Sequence, residues 1–400
     1  MDARLRTLLI TLTGRDRPGV TSRLLGALAG HPLAIVDLEQ VVIRGRLVLG
    51  VLVSYDEATP VEDVRAAVEA VAAELDMDAE VREGTGNGSA RRGRLHVTVL
   101  ASPLLPSAMA AIATRIAASG GNIDRIERLA HYPVTCIELD VSGRDLEGLR
   151  AGLAEEAAAQ RVDVAVQRGG LHRRAKRLVV MDVDSTLIQG EVIELLAEQA
   201  GCAGEVARVT EAAMKGELDF EQSLRQRVAL LEGLDASVLD QVRDRLVLAR
   251  GARTMVRTLK RLDYRFAIVS GGFTQVTDSL VERLGIDYSA ANTLEIVDGR
   301  LTGRLVGPIV DRKGKAVALE RFAREAGVPI SQTVAIGDGA NDLDMIQAAG
   351  LGVAFNAKPV LREAADTAVS VPYLDAVLFV LGISREEVEA ADAEDGVSYD

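Results

Sequence analysis

Two aspartates one residue apart, Asp182 and Asp184, end an apolar run with strand character in LVVMDVDSTL, residues 178–187. In a parallel α/β sheet, ligands bind beyond the carboxyl ends of the strands, so both carboxylates should lie at the mouth of a site. Carboxylates this close repel each other unless a cation or a shared proton intervenes, and hard oxygen ligands suit Mg²⁺. A simple Asp-Ser turn after a strand explains the segment equally well, so partners elsewhere in the chain must decide.

Two further segments carry groups that could hold phosphate. YRFAIVSGG, residues 264–272, has the pattern of a buried strand and contains Ser270 and Gly271 just before a predicted helix. A hydroxyl and free backbone N–H groups at a helix N-terminus can bind phosphate. Lys315 lies in the first turn of another predicted helix, in DRKGKAVALERFARE. Its ammonium group could neutralise the phosphate charge.

A last buried strand also ends in carboxylates. TVAIGDGAND, residues 333–342, contains Asp338, Asn341 and Asp342. We predict that Asp338 completes a Mg²⁺ site with the two aspartates of the first segment. Phosphoryl transfer depends on positioning and on charge neutralisation, so four loops of this composition at sheet ends predict that reaction.

In this order, the four segments resemble the motifs of the haloacid dehalogenase superfamily, over about residues 176–383. The resemblance implies an α/β, Rossmannoid core with a helical cap at about residues 189–255, and we place the whole domain at residues 176–385. It also implies that Asp182 is a nucleophile that forms an aspartyl-phosphate. Asp184 would protonate the leaving alcohol and then activate water.

Three longer matches narrow the substrate class. DVDSTLIQGEVIE, FEQSLRQRV and GDGANDLDM resemble the branch of the superfamily that hydrolyses O-phospho-L-serine to L-serine, the last step of serine biosynthesis. The resemblance implies that Glu191 binds the substrate ammonium group and that Arg227 binds its carboxylate. It further implies pocket or supporting roles for Met214, Phe220, Asn341 and Asp342.

The chain before this domain contains one pattern twice. Residues 1–84 and 94–170 each predict the order βαββαβ, which is that of a ferredoxin-like module. Between them, GTGNGSARRG, residues 84–93, is rich in Gly and polar residues and predicts a linker.

The repeat resembles the ACT domain, a small amino-acid-sensing module, and its mark is GRDRPGV, residues 14–20. Backbone N–H groups at this strand-to-helix turn could bind a ligand carboxylate, with Asp16 facing the ligand ammonium group. Alternatively, Asp16 only caps the helix and Gly19 allows close packing. The second module has ASPLLPSA at this turn, without an acidic residue. The resemblance implies L-serine as an effector at the first turn and a homodimer formed through the ACT modules.

Composition excludes several classes of partner. The net charge of −13 argues against nucleic acid or an anionic membrane surface. No segment reaches the roughly 18 apolar residues of a membrane span. Cys136 and Cys202 form no disulfide or metal pattern, so we expect a cytoplasmic protein.

Two charged segments are predicted to be solvated. LHRRAKR, residues 171–177, is interpreted as a basic linker, because a charge run usually faces solvent. The acidic tail, residues 386–400, offers little to pack and is expected to be frayed.

The same sequence argues against two other catalytic chemistries. All four histidines precede residue 176, which excludes Ser-His or phosphohistidine chemistry in the last domain. Cys202 and Arg208 have the spacing of a cysteine phosphatase, but Glu205 between them would repel phosphate.

Two alternatives keep the proposed site and change its role. The chain could be an amino-acid-sensing regulator whose last domain binds a phosphorylated ligand but does not hydrolyse it. A sensor, however, needs no general acid. It could instead act on phosphoproteins. Glu191 and Arg227 favour a free amino acid, because a peptide carries neither terminal charge at its phosphoserine.

Overall fold

The computed structural model describes residues 6–85, 94–143, 148–170, 173, 175–214 and 217–397. Most of the predicted linker, residues 86–93, therefore lies outside the described residues, as does part of the basic segment. The chain forms two compact units that divide between residues 90 and 91.

The first unit is a βαββαβ module with a four-stranded antiparallel sheet. Alternate residues of its first strand are fully buried, as the period of a half-buried strand requires. The strand order is β2-β3-β1-β4, so β2 lies at an edge. Its elements are β1 (Arg6–Arg15), α1 (Val20–Leu28), β2 (Leu33–Ile43), β3 (Arg46–Tyr55), α2 (Val61–Leu75) and β4 (Asp78–Thr85).

The second unit begins with a module of the same topology. The strand order is β6-β7-β5-β8, and the two helices bury Ile112 and Leu153 against the sheet. Its elements are β5 (Arg94–Ala101), α3 (Pro106–Ala118), β6 (Gly121–Ala130), β7 (Thr135–Gly143), α4 (Leu149–Gln160) and β8 (Asp163–Arg168).

The rest of the second unit is built on a seven-stranded sheet. The order is β12-β11-β10-β9-β13-β14-β15, with β9 between two parallel neighbours and β12 antiparallel to β11. All five residues of β9 are buried, which explains the unbroken apolar run in the sequence. The strands are β9 (Leu178–Asp182), β10 (Arg265–Phe273), β11 (Tyr288–Val297), β12 (Arg300–Val306), β13 (Thr333–Gly337), β14 (Gly352–Phe355) and β15 (Thr367–Val369).

Helices separate β9 from β10 and flank the later strands. The first four form the predicted helical insert, and the α7 start is fixed by a capping box between Asp219 and Gln222. The helices are α5 (Val192–Ala200), α6 (Ala203–Met214), α7 (Phe220–Ala229), α8 (Val238–Arg245), α9 (Ala252–Arg261), α10 (Thr274–Leu284), α11 (Arg312–Glu325), α12 (Leu343–Ala348), α13 (Pro359–Ala364), α14 (Ala376–Val380) and α15 (Arg385–Glu394). None of these described helices is long and apolar enough to cross a membrane.

The second module shares a hydrophobic core with the domain that follows it. Leu100 and Cys136 of the module belong to the same buried cluster as Met181 and Phe379. At the sheet edges, Asp163 Oδ2 accepts a hydrogen bond of 2.6 Å from the Ser370 N–H. The module therefore covers part of the last domain rather than standing apart from it.

The described part of the basic segment, residue 173 and residues 175–177, is not a solvated linker, and for it this prediction was wrong. Arg173 and Lys176 are buried. Arg173 Nη1 donates to Glu138 Oε1 at 2.8 Å, and Lys176 Nζ donates to the Ser331 carbonyl at 2.7 Å. The segment is basic because it meets acceptors in the module before it and in the domain after it.

The prediction of a frayed tail was also wrong, because the tail contains the packed helix α15. Asp392 in this helix is fully buried. It accepts hydrogen bonds from Arg257 at 2.8 Å and Arg261 at 2.5 Å. Ser384 begins the helix with a capping box to Glu387. Asp392 of the tail is thus paired with two arginines of α9 that are distant in the sequence.

Candidate active site

A cavity of about 570 Å³ lies between the carboxyl ends of the strands and the helical insert. It is lined from the sheet side by the ends of β9 and β10 and by the segments that follow β9 and β13, and from the other side by α6 and α7. Of the residues predicted from sequence, the cavity is lined by Asp182, Asp184, Glu191, Phe220, Arg227, Gly271, Asp338 and Asn341.

Lys315 joins two carboxylates at the floor of the site. Its Nζ is 2.7 Å from Asp182 Oδ1 and 2.7 Å from Asp342 Oδ1, and the side chain is fully buried. Burial alone would lower the pKa of Lys315, but the charges of the two aspartates outweigh it and raise that pKa. Lys315 is therefore a permanent cation, and it fixes the position of Asp182.

Asp184 is held by two donors, one at the start of α5 and one near the end of β10. Its Oδ1 accepts from the Val192 N–H at 2.8 Å, and its Oδ2 accepts from Ser270 Oγ at 3.0 Å. Burial raises the pKa of this carboxyl group. A buried carboxyl that keeps its proton to a higher pH is suited to act as a general acid.

The irregular end of β10, residues 270–273, here called the β10 loop, brings backbone close to these groups. The Gly272 N–H donates to Ser270 Oγ at 2.7 Å, and a Cβ at Gly272 would lie 3.0 Å from Asp184 Oδ2. Only glycine allows this approach. Asn292 Nδ2 holds the Gly271 carbonyl at 2.8 Å, which turns the loop toward the cavity.

Three carboxylates bring oxygen atoms to within 4.8 Å of one another: those of Asp182, Asp338 and Asp342. Burial and the neighbouring Asp342 raise the pKa of Asp338 to about 6. Clustered, buried carboxylates of this kind fit a hard divalent cation such as Mg²⁺, which would relieve their repulsion.

This group differs from the predicted ligand set in two residues. The Asp184 side chain lies outside it, and its two oxygens accept from the Val192 N–H and from Ser270 Oγ. Asp342 lies inside it, yet its Oδ2 already accepts from the Asp338 and Gly339 N–H groups, each at 3.1 Å. These bonds are those of a residue that shapes the metal loop.

A pair of opposite charges, Arg227 and Glu191, lines the same cavity. Arg227 Nη1 is 3.8 Å from Glu191 Oε2, and the Arg227 side chain is only 11% exposed. Burial lowers the pKa of Arg227, while burial and nearby Asp184 raise the pKa of Glu191. A cation and an anion at this distance can receive the carboxylate and the ammonium group of one amino acid.

Apolar residues also shield the cavity. The Phe220 ring lies over the β10 loop, since a Cβ at Gly271 would be 3.0 Å from Phe220 Cζ. Met214 is the last residue of α6, and its side chain lies outside the described residues.

Sequence reasoning missed several residues that line or support the cavity. Arg312 and Lys358 line it, and Asn292 positions the Gly271 carbonyl from below. Lys358 follows β14, the strand that comes after the TVAIGDGAND motif in the sequence. Its position after a strand of the same sheet could have predicted that it lies near the site.

The Cys202 segment does not form a phosphate cradle. Residues 203–214 form α6, so Arg208 lies on a helix rather than in a loop around Cys202. Burial and Glu205 raise the pKa of the Cys202 thiol, which disfavours the thiolate that catalysis needs.

In the first module, the GRDRPGV turn has the expected strand-to-helix geometry. Gly19 has φ of 97°, a left-handed conformation that favours glycine, and α1 begins at the next residue. The Asp16 N–H donates to the Gly45 carbonyl at 2.8 Å, and its side chain is exposed. The residue at the helix start is Gly19, not Asp16.

Comparison with known families agrees with this architecture. Residues 179–347 match the haloacid dehalogenase-like hydrolase family, and residues 6–82 and 95–167 each match an ACT domain. The predicted fold class is thus confirmed. A HAD family hydrolase from Salmonella enterica has a similar structure, with 27% identity and a TM-score of 0.64 over 72% of this chain and 98% of that one.

Two relatives are similar over nearly the full length. The phosphoserine phosphatase of Streptomyces coelicolor is 65% identical over 96% of this chain and 94% of the relative. Phosphoserine phosphatase SerB2 of Mycobacterium tuberculosis is 53% identical over 97% of this chain and 96% of the relative. With its two ACT domains and its haloacid dehalogenase domain, this chain belongs to the phosphoserine phosphatase family.

Proposed function

We propose that this chain hydrolyses O-phospho-L-serine to L-serine and phosphate, the last step of serine biosynthesis. The observation that carries the proposal is that two groups of charged residues, one from the sheet and one from the helical insert, meet at one cavity. Asp182, Asp184 and Lys315 lie on the sheet side, and the Glu191 and Arg227 pair lies on the side of the helical insert. This arrangement matches a substrate with a phosphate at one end and a zwitterion at the other.

In the first step, an Asp182 carboxylate oxygen attacks phosphorus while the bond from phosphorus to the serine oxygen breaks. Asp184 gives its proton to the departing serine oxygen. In the second step, Asp184 takes a proton from water, whose oxygen attacks the aspartyl-phosphate and restores Asp182. Lys315 holds Asp182 in place and offsets the negative charge through both steps.

Asp182 and Asp338 are the side chains proposed to hold Mg²⁺, with Asp342 fixing their loop. Asp184 was proposed as a third ligand from sequence, and its side chain is turned to Val192 and Ser270. Bound Mg²⁺ would supply positive charge to the phosphoryl oxygens.

Regulation by the product is a second part of the proposal. We infer that L-serine binds the GRDRPGV turn, where Asp16 is exposed and Gly19 gives the turn its shape. An amino-acid-sensing module on a phosphatase whose product is a free amino acid is explained if that product is a feedback inhibitor. The cytoplasm, where both cysteines stay reduced, is the proposed location.

The edge strand β2 supports the proposed homodimer. All its residues but Leu33 are exposed, including Ile35 at 59% and Ile43 at 65%. A long, apolar, unpaired edge is a template for pairing with another strand, and a second copy of the module can supply one.

Phosphate release from O-phospho-L-serine, with and without Mg²⁺, tests the enzymatic part. We expect turnover only with the metal, and little turnover of a phosphoserine peptide. Equal rates on the peptide would favour a phosphoprotein substrate. Specific binding of phosphoserine without phosphate release would favour the sensor.

A further inference from the structure

Lys358 is a cation at the cavity that the motifs above do not use. It follows β14, and its exposed side chain lines the cavity beside Asp338 and Asn341. Its backbone N–H donates to the Asp338 carbonyl at 3.0 Å, which ties it to the loop proposed to hold the metal. The residue is therefore anchored beside the proposed phosphate site.

The other basic side chains of the cavity wall are already engaged. Arg227 lies near Glu191, and Arg312 Nε donates to Asp344 at 2.7 Å. Lys358 makes no ion pair within the part of the chain that the structure describes.

We propose that Lys358 is a further binding residue, which draws the doubly charged phosphoryl group into the cavity and contacts its oxygens from the core side. The inference rests on the proposed function for its substrate. Its physical reason is charge. The cavity wall is rich in carboxylates and the chain carries a net charge of −13, so an approaching phosphate dianion is repelled until it meets a cation.

Lys358 serves the phosphate rather than the amino-acid end, which can be tested with two substrates. O-phospho-L-serine carries a carboxylate and phosphoethanolamine does not. Loss of Lys358 should lower kcat/KM about equally on both, by about 3- to 30-fold, between the effect of an exposed ion pair and that of a charge-assisted hydrogen bond.

The variants are Lys358→Gln, Lys358→Arg and the control Lys313→Gln. Lys313 is also an exposed lysine, but it does not line the cavity. We expect Lys358→Gln to flatten the fall of kcat/KM with added salt, because screening has less attraction to remove. Lys358→Arg should keep most of the wild-type value, and Lys313→Gln should match wild type.

Calorimetric titration of inorganic phosphate into the full chain with Mg²⁺ measures binding without turnover. Phosphate should bind Lys358→Gln about 3- to 30-fold more weakly than wild type. Phosphate affinity equal to that of Lys313→Gln overturns the proposal, as does a kcat/KM loss confined to O-phospho-L-serine. If wild type fails to hydrolyse phosphoserine, the proposed function fails, and the phosphate titration still decides the role of Lys358.

Discussion

Arg173 Nη1 lies 2.8 Å from Glu138 Oε1, and this buried ion pair joins the segment before the catalytic domain to strand β7 of the second module. Arg173 Nη2 also donates to the Val380 carbonyl at 3.3 Å, at the end of α14. One guanidinium group thus links the module to a helix of the catalytic domain. With the shared core, it makes the second module a structural part of that domain.

Replacing Arg173 should destabilise the second unit strongly. Arg173→Leu leaves the Glu138 carboxylate buried without its main partner, and breaking a buried pair in this way costs about 3 to 5 kcal/mol. Denaturant unfolding measures the change. The control is Arg150→Ala, which removes an exposed pair with Asp366 and should cost about 1 kcal/mol or less. Equal small effects for both variants would contradict a supporting role for Arg173.

The same pair predicts a loss of stability in acid. Burial alone would raise the pKa of Glu138, but the neighbouring His96 and Arg173 outweigh it and lower that pKa to about 2. A depressed folded-state pKa stabilises the protein above the unfolded value, about 4.3, and the gain is lost as pH falls toward 2. In unfolding curves between pH 5 and pH 3, Glu138→Gln should show a weaker pH dependence than wild type. Parallel curves would refute the assignment.

The strand ends of the site could be predicted because each motif is local. An apolar run fixes the strand, and the parallel sheet then brings Asp182, Ser270 and Asp338 to one edge. The burial of Arg173 and the packing of Asp392 could not be predicted, since each depends on a partner more than thirty residues away. A run of charges predicts solvent exposure only until such a partner exists.

The side-chain directions within the site were also beyond the sequence. The spacing of Asp182 and Asp184 suggested two metal ligands, but the second carboxylate turns to Val192 and Ser270. In the turn after β9, Ser185 has φ of 58°, in the left-handed region. A backbone conformation that rare for serine is not visible in a motif.

Asp182→Asn should abolish phosphate release and prevent trapping of an acyl-phosphate. An amide oxygen is a poor nucleophile, while the asparagine keeps the shape of the buried site and Lys315 keeps Asp342. Steady-state assays and acid-quenched labelling measure the two effects, with thermal melting as the control for folding. Turnover at the wild-type rate would refute the nucleophile.

Asp184→Asn should lower turnover by about 10²- to 10⁴-fold, the usual contribution of general acid and base catalysis. The asparagine can still accept from the Val192 N–H, so folding should persist. Burial raises the pKa of Asp184, so this carboxyl group should stay protonated at a higher pH than a free aspartate. The wild-type rate, which depends on that proton, should therefore persist to a higher pH. A pH-rate profile that is the same in the variant and the wild type would remove Asp184 from this role.

Arg227→Ala should impair use of O-phospho-L-serine by about 10- to 100-fold, from the loss of a charge-assisted hydrogen bond to the substrate carboxylate. Phosphoethanolamine has no carboxylate, so its hydrolysis should be nearly the same in the variant and the wild type. Arg225→Ala is the matched control, because Arg225 lies on the same helix and pairs on the surface with Glu221 at 2.9 Å. Equal losses on both substrates would show that Arg227 supports the fold instead.

L-serine should inhibit the full chain through the first module. Coupling between sites typically amounts to about 1 to 3 kcal/mol, so serine should weaken substrate binding by at most about 5- to 150-fold. Competition by the product at the active site is the rival explanation, and it predicts inhibition that is purely competitive and independent of the first module. The kinetic pattern with increasing serine measures the difference.

Variants of the first module separate these explanations. Gly19→Ala forces a side chain onto a φ of 97°, which should distort the turn and weaken inhibition. Gly26→Ala is the control, because Gly26 lies inside α1 with nothing within 4 Å of an added Cβ.

A chain of residues 91–400 lacks only the first compact unit, and serine should inhibit it only by simple competition. A cut at residue 170 would instead expose the core that the second module shares with the catalytic domain, so that truncation is the wrong test. If serine inhibits wild type, Gly19→Ala and residues 91–400 alike, Asp16 and Gly19 do not form the sensing site.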